Sequence, residues 1–105
     1  MKEIRYFTLQ GKCPVLEWLK KLDAKNRRLA ALYIDRLAFG NTSAAKNLKG
    51  GLWEIRIHTS SGLRIYFTYD GDDIIILFYG GNKSTQKKDI EKARAFLEVW
   101  RQIYG

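Results

Sequence analysis

The stretch Gly51–Ile90, GLWEIRIHTSSGLRIYFTYDGDDIIILFYGGNKSTQKKDI, constrains this chain more than any other. It holds three apolar runs separated by polar turns. In Leu52–His58, Trp53, Ile55 and Ile57 alternate with Glu54, Arg56 and His58. In Leu63–Tyr69, Leu63, Ile65, Phe67 and Tyr69 alternate with Arg64, Tyr66 and Thr68. Period two is the pattern of a strand that buries one face. Ile74–Tyr79 is apolar throughout, as for an inner strand covered on both sides. Asp70-Gly71-Asp72-Asp73 supplies turn chemistry between the second and third runs. The stretch therefore predicts a three-strand antiparallel meander that empties into a Gly80-Gly81-Asn82-Lys83 loop.

If Thr59–Gly62 closes the first hairpin, Arg56 lies opposite Arg64 and Glu54 opposite Tyr66. The second hairpin is then expected to bring Tyr79 beside Arg64. Two arginines directly opposite each other repel and cost stability. Solvation tolerates such a pair; a bound polyanion would also account for it.

The flanking segments supply helices. Lys2–Thr8 alternates and reads as a first strand. Pro14 suits the first position of a helix, carrying Val15, Leu16, Leu19 and Leu22. Asp23 is placed to cap a second helix from about Ala24 to Phe39, with Leu29, Leu32, Tyr33, Arg36 and Leu37 at helical spacing and Gly40 ending it. The two form a hairpin expected to cover the Ile55/Ile65/Phe67 face. Asn41–Gly50 reads as a polar connection. Ser84 or Thr85 caps a last helix to about Tyr104, with Ile90, Ala93, Phe96, Leu97, Trp100 and Ile103 in one stripe, expected over Ile75 and Leu77. The order β-α-α-β-β-β-α gives an α+β fold: a small antiparallel sheet packed on a helical hairpin, with a C-terminal helix, as a single domain over residues 1–105.

Composition narrows the partner. A formal net charge of +8 on 105 residues points to an acidic partner, such as nucleic acid, an anionic surface or an acidic protein. One cysteine and one histidine exclude an internal disulfide and leave no usual zinc set. No run approaches the ~18 apolar residues of a membrane span, and MKEIRYF lacks a signal-peptide core, so a soluble cytoplasmic protein with no membrane partner is expected.

No phosphate-binding loop of the Walker type and no nucleophile elbow occurs. What remains is a set of cations and phenols: Arg56, Arg64, Lys83, Tyr66 and Tyr79 as candidate catalytic groups, with Lys46, Lys49, Lys87 and Lys88 as candidate RNA-binding groups. Such a set can cleave RNA without metal or cofactor. The ribose 2′-OH attacks the adjacent phosphorus, fixed cations meet the charge that develops on the phosphate oxygens, and two groups exchange protons with the 2′ and 5′ oxygens. The plain alternatives are a solvated helix start for Lys87-Lys88, a flexible turn for Gly80–Lys83, and core packing for Trp18, Trp53 and Trp100.

GLWEIRI, GLRIYFTYDGDDIIIL and GGNKSTQKKDIEKA together resemble the HigB-like branch of the RelE/ParE toxin superfamily, strongly from about Lys49 to Leu97. The resemblance implies the toxin of a type II toxin–antitoxin pair that cuts messenger RNA in the ribosomal decoding site, with a cognate antitoxin, a small helix-turn-helix protein encoded next to it, as partner. By resemblance, Arg64 matches the arginine on the scissile phosphate, Arg56 a strand lysine, and Lys83 a later loop arginine. Glu54 stands where such nucleases often carry a further basic residue, and no tyrosine lies between Lys83 and Glu98. That leaves Tyr66, Tyr79 or a lysine as the general base. The alternatives are a ParE-like gyrase poison and a non-catalytic RNA- or ribosome-binding module.

Overall fold

The computed structural model describes all 105 residues. Strands β1 (Glu3–Tyr6), β2 (Ala45–Asn47), β3 (Trp53–Ile57), β4 (Leu63–Asp70) and β5 (Ile74–Gly81) form one sheet in the order β1-β5-β4-β3-β2. Helices α1 (Pro14–Lys21), α2 (Ala24–Ala38) and α3 (Gln86–Tyr104) complete the fold, α3 following a 3₁₀ turn at Lys83–Thr85. The expected β3-β4-β5 meander is present. The sheet is mixed, however, not wholly antiparallel, because β1 runs parallel to β5 along its outer edge. The helical hairpin carries the chain from β1 to β2 at the far edge of the sheet, and β2, β3 and β4 then bring it back to β5 beside β1. Part of the expected polar connection is also a strand: β2 pairs Lys46 with Glu54. Its Ala-Lys-Asn sequence carries no β-branched or aromatic residue that would announce it.

The alternation in β3 and β4 sorts the sheet into two faces. The α1–α2 hairpin covers one, where Val15, Ala30, Ile34 and Leu37 meet Ile55, Ile57, Leu63, Ile65 and Phe67. The stripe on α2 is rotated from the expected one, so that Leu32 is left exposed. Ile75 and Leu77 lie under this hairpin rather than under the last helix. α3 covers the opposite face, with Ala93 and Leu97 against Leu52, Tyr66, Ile76 and Phe78.

A bulge sets the second hairpin. Phe67 pairs with Leu77 but Tyr66 pairs with Tyr79, so Phe78 is an extra residue on β5. From there the register runs Ile65–Gly80 and Arg64–Gly81. Tyr79 is therefore not opposite Arg64 as expected: pairing from Asp70–Ile74 would by itself set Arg64 against Gly80, and the bulge moves each pair beyond it one residue further.

Side chains close the exposed ends. Arg27 donates to the carbonyls of Leu19, Lys20 and Leu22 at the end of α1. Asp23 occupies the start of α2, but its side chain makes no capping bond. Arg94 donates to the carbonyls of Leu48 and Lys49, and Arg101 to that of Gly50, tying α3 to the β2–β3 turn. No helix is long and apolar enough to cross a membrane.

Candidate active site

Alternation along β3 puts Glu54 and Arg56 on the α3 side, and the register sets Tyr66 and Arg64 opposite them. α3 shields the Glu54 end of this row, so Glu54 has no exposed surface at all. A lone buried carboxylate is expensive and persists only when paired and hydrogen-bonded. Glu54 Oε1 accepts from Arg56 Nε at 2.8 Å, and Oε2 accepts from Gln86 Nε2 at 2.9 Å. Arg64 Nε lies 3.7 Å from the same Oε2, within ion-pair range. The two facing arginines thus share a buried counter-ion, which offsets their repulsion. Glu54 is the residue that sequence reasoning undervalued. Its signal was legible: it sits two residues before Arg56 on the same face, and diagonally across from Arg64.

The counter-ion also aims the arginines. Both turn Nε towards Glu54, and Arg64 Nη1 donates to the Gly62 carbonyl at 3.0 Å. No protein group engages the Nη atoms of Arg56, whose side chain is 43% exposed. Arg64 is 12% exposed, far less open than Arg56. Lys83 joins them from the β5–α3 loop. Its backbone N–H donates to the Ser61 carbonyl at 3.1 Å, and a Cβ on Gly62 would stand 2.9 Å from Lys83 Cβ and 3.3 Å from Arg64 Nη1. Gly62, at φ +65°, thereby lets the β3–β4 turn close on that loop.

Of the remaining candidates, Lys46 pairs with Glu54 and edges the same face. Lys87 and Lys88 are exposed in the first turn of α3, beside Gln86. Lys49 lies elsewhere, in the β2–β3 turn held by Arg94. Tyr66 is fully buried, and its hydroxyl has no hydrogen-bond partner. Burial first, and then the Glu54 and Asp89 carboxylates, push its ionisation well above the usual phenol range. Tyr66 is thereby corrected from a candidate base to a core residue. Tyr79 packs edge-on against Phe96, with ring centroids 5.9 Å apart, and faces a groove whose lining includes neither Arg56 nor Arg64. None of the main cavities is lined by Arg56 or Arg64, and the cation site is an open surface. No three His, Cys, Asp or Glu side chains come together in a set that could hold a metal ion.

A mixed five-strand sheet with helices on both faces and an open cluster of cations at one end makes this a small α+β protein. Comparison with known proteins narrows this class. Residues 17–98 match the model of the phage-derived protein Gp49-like family (DUF891). An uncharacterized protein of Haemophilus influenzae is 42% identical over 84 residues, covering 77% of this chain and 83% of that protein. The chain belongs to the Gp49-like family, a toxin-like family related to RelE and HigB.

Proposed function

We propose that this chain is the toxin of a type II toxin–antitoxin pair, on the HigB-like branch of the RelE/ParE superfamily, and that it cleaves messenger RNA on the ribosome without metal. The observation that carries this reading is the buried Glu54 carboxylate behind Arg56 and Arg64. It holds two guanidinium groups in place before any phosphate arrives, and cations fixed in advance are what lower the barrier for charge developing on phosphate oxygens.

In the reaction, the 2′-oxygen bonds to phosphorus and the bond to the 5′-oxygen breaks, leaving a cyclic phosphate and a 5′-hydroxyl. Arg56 and Arg64 hold the non-bridging oxygens. Lys83, exposed beside Arg64, takes the proton from the 2′-oxygen and returns it to the departing 5′-oxygen, because Tyr66 is buried and Tyr79 faces another surface. Lys46, Lys87 and Lys88 border the site and engage flanking phosphates. An open site without an enclosing cleft relies on another body to present the strand, and the ribosome fills that role. The partner that neutralises the toxin is a cognate antitoxin.

Induction in cells tests this. Primer extension on abundant messages should show cuts within codons for the wild type and none for Arg56→Ala or Lys83→Ala. DNA damage and filamentation with intact messages would point instead to a gyrase poison and would overturn the nuclease reading.

A further inference from the structure

We infer that the groove on the outer side of β5 is a second nucleotide site, one that takes a planar base together with its phosphate. Strand β1 stops at Tyr6, opposite Leu77, while β5 continues to Gly81. Beyond Leu77 the sheet edge carries no further strand, and a groove of about 350 Å³ opens there between α1 and α3.

Its walls are aromatic. A Cβ on Gly80 would lie 2.3 Å from the Trp18 ring, so the indole rests directly on the strand backbone. Tyr79 and Phe96 stand edge to face on the other side. The rim is basic. Lys12, Lys21 and Lys92 are all exposed there, and Glu17 is the one carboxylate. The Lys92 ammonium lies 5.8 Å from the Phe96 ring centroid. Aromatic faces beside flexible ammonium groups are the combination that binds single-stranded nucleotides, stacking the base and neutralising the phosphate. An acidic peptide would use the lysines but leave three aromatic walls without a planar partner. The groove shares no residue with the Arg56–Arg64–Lys83 cluster, so the inference stands whether or not that cluster cuts RNA.

Titration of the ¹⁵N-labelled full chain with uridine or adenosine 5′-monophosphate tests it. Trp18→Phe identifies the Trp18 indole signal. The nucleotides should move that signal and the Tyr79 and Gly80 amides, and ribose 5-phosphate at the same concentration should move them far less. Replacing Lys12, Lys21 and Lys92 together by Gln should weaken binding roughly tenfold without altering the remaining spectrum. Three outcomes each overturn the inference: shifts confined to Arg56, Arg64 and Lys83; equal shifts with ribose 5-phosphate; or a response to a Glu-rich hexapeptide with none to the nucleotides. Loss of RNA cutting by Lys83→Ala with nucleotide binding intact separates the two sites.

Discussion

Under the α1–α2 hairpin the sheet buries hydrocarbon and aromatic groups; under α3 it buries Glu54, Thr68 and Asp89 as well. The hairpin face is held by shape and volume, which many neighbouring sequences could satisfy. The α3 face is held in part by directed bonds. Glu54 needs Arg56 and Gln86, Thr68 donates to the Gly51 carbonyl at 2.6 Å, and Asp89 accepts from the Thr85 hydroxyl. Stability therefore concentrates on one face, and fixed geometry on the other, where the cations emerge.

The largest effect expected is at Phe67, which is fully buried on the hairpin face. Phe67→Ala should cost about 3–5 kcal/mol in denaturant unfolding; a loss under about 1 kcal/mol would show that the hairpin face is not the stability core. Next come the cations. Lys83→Ala should lower cleavage about 10²–10³-fold with almost no change in the unfolding midpoint, since its side chain reaches solvent. Arg56→Ala should lower cleavage as much and also cost stability, because it strips the buried Glu54 carboxylate of its 2.8 Å partner. Arg64→Ala should lower both rate and stability, because Arg64 is nearly buried and shares the Glu54 counter-ion. Equal stability of the Arg64→Ala and Lys83→Ala variants would erase the distinction drawn between them.

Glu54→Gln keeps the shape and removes the charge between the arginines. It should destabilise by about 1–3 kcal/mol, with the loss towards the lower end because Arg56 is partly solvated. A stability equal to wild type, with full cleavage, would show that the carboxylate aims nothing.

Tyr66→Phe has the smallest effect and the opposite sign. Its hydroxyl is buried without a partner, so removing it should leave stability unchanged or raise it by about 1 kcal/mol at neutral pH. The alkaline response should change too. Folding raises the Tyr66 ionisation, so below the ordinary phenol value of about 10 both states keep the proton and nothing is lost. Above it the unfolded chain ionises first, and wild-type stability falls as pH rises. The Phe variant should fall less steeply between pH 9 and about 12 in the same unfolding measurement; identical slopes would place the Tyr66 hydroxyl in water.

Alternation and turn residues made the meander legible, including the Arg56–Arg64 and Glu54–Tyr66 pairings. They could not give the bulge at Phe78, because an extra residue inside a continuous apolar run leaves no period to break. Nor could they give the parallel pairing of β1, which depends on where a distant edge lies free. The docking of α3 was misplaced for a related reason: Ile75 and Ile76 are equally apolar, and sequence does not say which points up. In the site, the charges of Arg56, Arg64 and Lys83 were evident. What stayed hidden was that a helix would bury Glu54, since burial belongs to the tertiary arrangement rather than to any one strand.

Gly80 and Gly81 stand back to back in β5 with no positive φ. A Cβ on Gly80 would enter the Trp18 ring, and one on Gly81 would fall 1.8 Å from Asp89 Oδ2. At these adjacent residues a side chain from each helical layer rests directly on the strand, Trp18 of α1 at Gly80 and Asp89 of α3 at Gly81. Tolerance to replacement should therefore follow a different rule here than at Gly62 or Gly71, which carry φ values of +65° and +66°. At Gly71, where nothing would meet a new Cβ, asparagine or a D-alanine introduced by chemical synthesis should be accepted. At Gly80 neither handedness nor a permissive backbone helps, and only a compensating cut in the indole of Trp18 would make room, so these two sites should drift together or not at all.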